Sequence, residues 1–438
     1  MQTSQMPLRE IAETIFRRTM DGIRVERYAS QRIFVDLEQI YLGEFAYARS
    51  RFTRCVLVAI GKAAVPMARC VTAAVESVFQ RGVGGIVVAP NALGVPDGLT
   101  YYRGAHPLPE ESSFVAAHAA LELLETVDDE TLVVFLISGG ASAMMELPLD
   151  EDVSLQDTRA FHRLLVHSGL PIEKMNVVRK HFSQVKGGRL AEAAAKASQI
   201  CTLLISDVPA NRLDTVGSGP SMADPSSVKD CRRILTEARL WHELPESVRI
   251  FFRRDDLPET PKQLLQSDAC ALLSSETMSA IAASVAKEMG FEATVDDLCD
   301  EWTSSAAAEY LVQRMQQMAG RNICLISVGE VSVAVSEGAG MGGRNQHFTL
   351  EAAKLIAGRA DTAVLSAGSD GIDGNTGAAG AVVDESSWDR ATTLQLRPQQ
   401  ALDKFDSHTV LDRLGATLLT GPTGNNVRDL RLLLCRRA

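Results

Sequence analysis

The sequence predicts an α/β protein of two domains, and three observations carry that expectation. The chain has 438 residues, more than a usual single core accommodates. Short apolar runs end repeatedly in glycine or polar residues and lead into Ala-rich amphipathic stretches. The runs are continuous rather than alternating, as in "TLVVFLISGGASAMM", which indicates parallel sheets covered on both faces. Ligands of such sheets usually lie beyond the C-terminal strand ends, where the polar loops fall.

Taken in order, residues 7–48 read as helices without a strand-to-loop signature, and the arm 1–49 is free to pack on either domain. The strand-and-helix pattern begins at "VLVAIGKAAVPMARCVTAAV" and recurs at "TLVVFLISGGASAMM" and "TLLISDVPANRLD". Residues 236–268 include "RRDDLPETPKQL", a charged, Pro-containing stretch, so the expected domains are 50–236 and 237–438. Beyond it, "ICLISVGEVSVAVSEGAG" and "AVLSAGSDGIDG" repeat the pattern.

A net charge of -11 argues against a general nucleic-acid binder, because a polyanion needs a local excess of Lys and Arg. No run reaches the roughly 20 apolar residues that span a bilayer. The N-terminus carries charge throughout and lacks a signal-peptide pattern. Eight scattered cysteines without a CxxC pair point to reduced core residues in the cytoplasm. Both a monomer and a homodimer are compatible with the sequence.

Several loops carry candidate chemistry. Gly338, Gly340 and Gly343 have the spacing of a dinucleotide turn, but the acidic residue that should follow about 20 positions on is missing, Asp370 lying further away. A Gly-rich turn feeding a helix still exposes N–H groups suited to an anion, and Arg344 adds charge. Lys62 stands directly after a strand, as either an exposed lysine or a charged group at the ligand, and "AIGKAA" is not a Walker A loop. Around Ser138, Gly139, Gly140 and Ser142 the GxSxG pattern fails at Met144, so a phosphate-cradling turn is the better functional reading. Arg179, Lys180, His181, Lys186 and Arg189 surround Gly187 and Gly188, forming either a solvated face or an anion site. Asp207, Asp214, Glu330, Asp370 and Asp373 supply strand-end carboxylates that suit Mg²⁺ or a hydroxyl proton, although Asp in such loops is also a common turn residue. Lys or Arg, Gly-rich backbone and carboxylates at many strand ends are the equipment of phosphoryl transfer.

In order, "GKAA", "GAHPLPEESS", "ISGGASA", "NVVRKHFSQVKGGRLA", "ISDV" with "GSGP", "GEVSVAV" with "GMGGRNQ", "GSDGIDGNTGAAGA" and "TGPTGNNVRDL" make the chain, from about residue 55 onward, resemble the glycerate 2-kinase family. The resemblance implies a Rossmann-like parallel-sheet domain plus a second α/β domain, called MOFRL, with the active site in the cleft between them. It also implies an ATP- and Mg²⁺-dependent kinase for the 2-hydroxyl of D-glycerate or a closely similar small hydroxy acid. By the same resemblance Lys62, Arg344 and Asp370 are the expected catalytic residues. Ser138, Gly139, Gly140 and Ser142, with Lys186, Gly187 and Gly188, are the expected nucleotide and phosphate contacts. Arg179, Asn345 and Asn426 are expected at the substrate, and Asp207, Glu330 and Asp373 at the metal.

The chain departs from the family pattern at Ala141, Met144, Ala210, Asn211, His347, Asn425 and Arg428. Relatives have also carried the name hydroxypyruvate reductase, which keeps an NAD(P)H-dependent enzyme as an alternative. A diverged, non-catalytic phospho-ligand binder is a third reading.

Overall fold

The computed structural model describes residues 6–208, 210–335 and 338–437, with no side chain described at 210 and 211. Ala210 and Asn211 begin a 3-10 segment, and these two departures from the family pattern lie outside the described side chains. The chain divides into two units, one of residues 28–272 and one joining the segment through Arg27 to Leu273 onward.

Helices Leu8–Gly22 and Val25–Ala29 open the chain as the sequence predicts. The rest of the expected arm is not helical: β1 (Ile33–Val35), β2 (Gln39–Leu42) and β3 (Phe45–Ala48) form an antiparallel sheet. Runs of three or four residues are too short for their period-two burial to stand out in sequence. The arm is also divided, because residues through 27 belong to one unit and 28–49 to the other.

In the unit 28–272, β4 (Arg54–Ile60), β5 (Val83–Ala89), β6 (Leu99–Arg103), β7 (Thr131–Ile137), β8 (Gln199–Ile205) and β9 (Ser267–Leu273) form a six-stranded sheet ordered β6-β5-β4-β7-β8-β9. The four pairs from β6 to β8 are parallel, as expected. Every residue of β7 and β8 is buried, which explains their uninterrupted apolar sequences.

Residues 237–272 belong to this unit, not to the C-terminal one as the boundary at 236/237 supposed. Helix Glu246–Arg253 places Val248, Phe251 and Phe252 against Phe161, Phe182 and Leu235, while its polar residues face outward. Charge and proline therefore mark the surface of a packed segment rather than a linker.

In the other unit, β10 (Glu292–Val295), β11 (Asn322–Gly329), β12 (Thr362–Gly368), β13 (Gly380–Asp384), β14 (Thr417–Leu418) and β15 (Asp429–Arg436) are ordered β10-β11-β15-β12-β13-β14. Only the β10–β11 pair is parallel among these described strands. The sequence predicts parallel sheets throughout, but burial on both faces makes a strand apolar without fixing its direction. β15 runs antiparallel between β11 and β12, and its inner residues are as buried as theirs.

Among the described residues no helix is long and apolar enough to cross a membrane, and no disulfide joins any of the eight cysteines.

Candidate active site

In the unit 28–272 the loops after β4 and β7 are tied together. Lys62 donates its backbone N–H to the Gly139 carbonyl at 3.0 Å, and the Ala63 N–H donates to Ser138 Oγ at 3.0 Å. Gly140 takes a left-handed conformation, φ 88°, and starts the short helix Ala141–Met144. A Cβ built at Gly139 would stand 3.2 Å from Asp207 Oδ2, and one at Gly140 would stand 3.4 Å from His106 and 3.6 Å from Lys62 Cγ. The structure thus gathers Lys62, with its exposed side chain, Ser138, Gly139, Gly140 and Asp207 at neighbouring strand ends. His106, from the "GAHPLPEESS" motif, joins them without having been expected at the site. Its pKa is lowered by partial burial and then by the charge of Lys62.

Behind this loop, Ser142 Oγ lies 2.7 Å from Ser218 Oγ, which donates to Asn176 Oδ1 at 3.0 Å. Arg179 reaches the same oxygen at 3.4 Å, is 9% exposed, and leaves its buried Nε without a partner. Burial lowers the Arg179 pKa against the pull of Glu146.

The Lys186-Gly187-Gly188 expectation is corrected. Lys186 is buried, donating to Glu146 Oε2 at 2.6 Å and to the Met145 carbonyl at 3.1 Å, while His162 Nε2 lies 2.7 Å from the same glutamate oxygen. The Gly187 and Gly188 N–H groups donate to the carbonyls of Ser218 and Gly219, at 3.1 and 2.7 Å. A Cβ at Gly188 would meet the Met222 carbonyl at 2.9 Å, so this glycine serves close packing. Donors used internally are not available to a phosphate. Lys180 is likewise paired with Asp214 at 2.8 Å and Asp224 at 3.3 Å.

In the other unit the Gly-rich turn has a different purpose from the one its spacing suggests. β11 ends at Gly329, so a long loop separates the strand from Gly338, Gly340 and Gly343, and the strand–turn–helix context of a dinucleotide site is missing. Gly343 caps helix Arg344–Ile356, and a Cβ there would lie 2.3 Å from the Asp373 carboxyl group. Asp373 Oδ1 accepts from the N–H and Nδ2 of Asn345, at 3.0 and 3.3 Å. Its Oδ2 accepts from the N–H and Nε2 of Gln346, at 2.9 and 3.0 Å. The anion at this helix start is the chain's own carboxylate. Burial is the largest influence on Asp373 and pushes its pKa up despite these donors.

Asn345 is 1% exposed and also accepts from Ser366 Oγ at 2.6 Å, so it braces the fold rather than facing a substrate. Asn426 is partly exposed and accepts the Arg428 N–H at 3.1 Å.

Arg344 stands on the first turn of that helix, where Nε and Nη2 donate to the two oxygens of Asp429, at 2.6 and 3.0 Å. Glu330 Oε1 is 2.9 Å from Nη2. Burial works against the guanidinium charge, but the bonds and charges of Asp429 and Glu330 prevail and raise the Arg344 pKa. Arg344, Asp370, Gly340, Asn375, Ile372 and Phe405 line a cavity of about 740 Å³. Asp370 Oδ1 accepts the Ile372 N–H at 3.1 Å. Asp429 and Arg431 do not stand out in the sequence, although the "TGPTGNNVRDL" motif runs through Asp429; a sequence does not show which carboxylate will meet Arg344.

The expected metal ligands do not form a set that fits Mg²⁺. Both Asp373 oxygens are saturated by N–H donors, and Glu330 is paired with Arg344. Among the described residues no three His, Cys, Asp or Glu side chains come together as a metal-binding group.

Two family models match the chain: "Domain of unknown function (DUF4147)" over residues 11–253, and "MOFRL family" over residues 323–429. The D-glycerate 2-kinase of Thermotoga maritima is 38% identical, the match covering 86% of this chain and 89% of that protein. A protein of Agrobacterium vitis, provisionally named hydroxypyruvate reductase, is 35% identical over 87% of each. The crystal structure of a glycerate kinase from Thermotoga maritima superposes with a TM-score of 0.85 at 33% identity, covering 98% of this chain and 99% of that one. Two six-stranded sheets in separate units, an arginine clamped at the start of the MOFRL helix and a likeness that runs nearly end to end place the chain in the glycerate 2-kinase family of phosphotransferases.

Proposed function

We propose that the protein transfers the γ-phosphoryl group of MgATP to the 2-hydroxyl of D-glycerate or a closely similar small hydroxy acid. The observation that carries this reading is Arg344, a guanidinium fixed by two carboxylates at the edge of a cavity it shares with Asp370. A fixed cation beside a carboxylate suits phosphoryl transfer, in which positioning and charge neutralisation supply most of the catalysis. The names of the relatives support the same choice.

In this reading Arg344 neutralises charge on the transferred group, and Asp370 accepts the proton of the attacking hydroxyl. Lys62, with Ser138, Gly139, Gly140 and Ser142, contacts phosphate oxygens, and Arg179 and Asn426 contact the acid. Mg²⁺ is read as entering with the nucleotide phosphates, with no step assigned to a protein-held ion. The cytoplasm is the proposed compartment, on the scattered cysteine spacing of the sequence.

ADP release with MgATP, measured across D-glycerate, L-glycerate, tartrate and glycolate, tests the proposal, with NADH oxidation by hydroxypyruvate run alongside. Release with D-glycerate or one near analogue is expected. NADH oxidation without ADP release would reverse the assignment. The reductase reading is the weaker one, because Asp373 occupies the helix start that a pyrophosphate would need.

A further inference from the structure

We propose that Asp429 is a positioning residue for Arg344, holding its guanidinium in one orientation so that the charge meets the transferred phosphoryl group without prior reorganisation. The inference deepens the kinase reading and rests on it.

The position of Asp429 in the fold supports this role. It is the first residue of β15, in register with Gly329 of β11 on one side and Gly368 of β12 on the other. No side chain intrudes from either paired position, and a Cβ at Gly368 would already come within 3.4 Å of Asp429 Oδ1. The carboxyl group, 1% exposed, therefore lies where a central strand begins, opposite the first turn of helix Arg344–Ile356.

Its two oxygens take Nε and Nη2 of Arg344 in a paired geometry that a lysine cannot reproduce. From the interior side comes Arg431, fully buried, with Nη2 3.8 Å from Asp429 Oδ2. Arg431 is itself fixed by a 3.1 Å bond to the Gly329 carbonyl and by the Phe348 ring, 5.3 Å from its guanidinium carbon. Its Nε and Nη1 have no hydrogen-bond partner. A buried cation left partly unsatisfied is a costly way to brace a strand end. It is well suited to fixing the carboxylate that aims Arg344, because a long side chain held along one edge arrives ordered at the reaction.

Asp429→Asn keeps the size and removes the charge. It is expected to lower kcat about a hundredfold or more while changing either KM by less than about threefold. In Arg344→Ala nothing remains to be positioned, so Arg344→Ala/Asp429→Asn is expected to match Arg344→Ala within about twofold. Unchanged kcat in Asp429→Asn, or losses that multiply in the double variant, would overturn the proposal.

Should Asp429→Asn fail to fold, Arg344→Ala provides a second route. Millimolar guanidinium is expected to restore part of its turnover by pairing with Asp429, and methylammonium is not; equal rescue by both overturns the idea. A third readout needs no turnover. In ¹⁵N-arginine-labelled protein the Arg344 Nε–H, identified by its loss in Arg344→Lys, should exchange slowly with water. Fast exchange overturns the positioning whatever acid is phosphorylated. Slow exchange without ADP release against any acid supports the positioning and overturns the kinase reading.

Discussion

A lysine ammonium buried against one glutamate, with an imidazole on the same oxygen, depends on both partners staying in place. Lys186→Met leaves Glu146 as an uncompensated interior charge, which is expected to lower stability by about 3–5 kcal/mol. Glu146→Gln/Lys186→Met removes both charges and should recover much of that loss. Urea unfolding of the three proteins checks this, and KM for ATP in the folded Lys186→Met protein should stay unchanged, since the ammonium does not reach a phosphate. Lys62, by contrast, keeps an exposed side chain on a loop whose backbone N–H groups bond to the loop after β7. Both lysines adjoin glycine in sequence, and nothing local separates them. The difference arises because Glu146, 40 residues from Lys186 in sequence, folds back onto it.

Helix Arg344–Ile356 begins on a side chain from another loop, with Asp373 standing where a cap residue of the helix itself usually would. Asp373→Ala strands the buried N–H groups of Asn345 and Gln346 and is expected to cost about 2 kcal/mol or more. It should also loosen Arg344, so kcat is expected to fall along with the denaturation midpoint. Unchanged kcat in the folded variant would show that Arg344 is held by Asp429 and Glu330 alone. The elements themselves were unevenly legible. β4, β7 and β8 are readable because burial on both faces writes continuous apolar runs. β1 to β3 are too short to write a period, and the antiparallel insertion of β15 leaves no mark in its own sequence. Arg344 and Asp370 were legible as charged residues in glycine loops, whereas the capping role of Asp373 is a tertiary fact.

For the molecule as a whole, buried histidines are expected to make stability depend on pH on the acid side. Burial lowers the pKa of His162 and of His181, so the folded chain takes up protons there less readily than an unfolded chain. The unfolded state then binds more protons, and stability should fall as pH drops below the ordinary histidine range. Glu146 adds a second loss at lower pH. Burial opposes its charge, but Lys186 and His162 hold its pKa below the usual carboxylate range, and that stabilisation disappears as it protonates. The thermal midpoint is expected to decline from about pH 7.5 to about pH 5.5, across the ordinary histidine range, with a shallower slope in His162→Gln. A flat profile would mean that these imidazoles become charged in the folded state.

The place of β15 between β11 and β12 has a consequence for synthesis. On the ribosome both flanking strands emerge first and lack their common partner until residues 429–436 are made, a delay of several seconds at about 5–20 residues per second. The parallel sheet of residues 28–272 has all its strands before that interval begins. The nascent chain is therefore expected to carry one finished half and one half with open strand edges. The second half is expected to need its open edges shielded during translation more than the first.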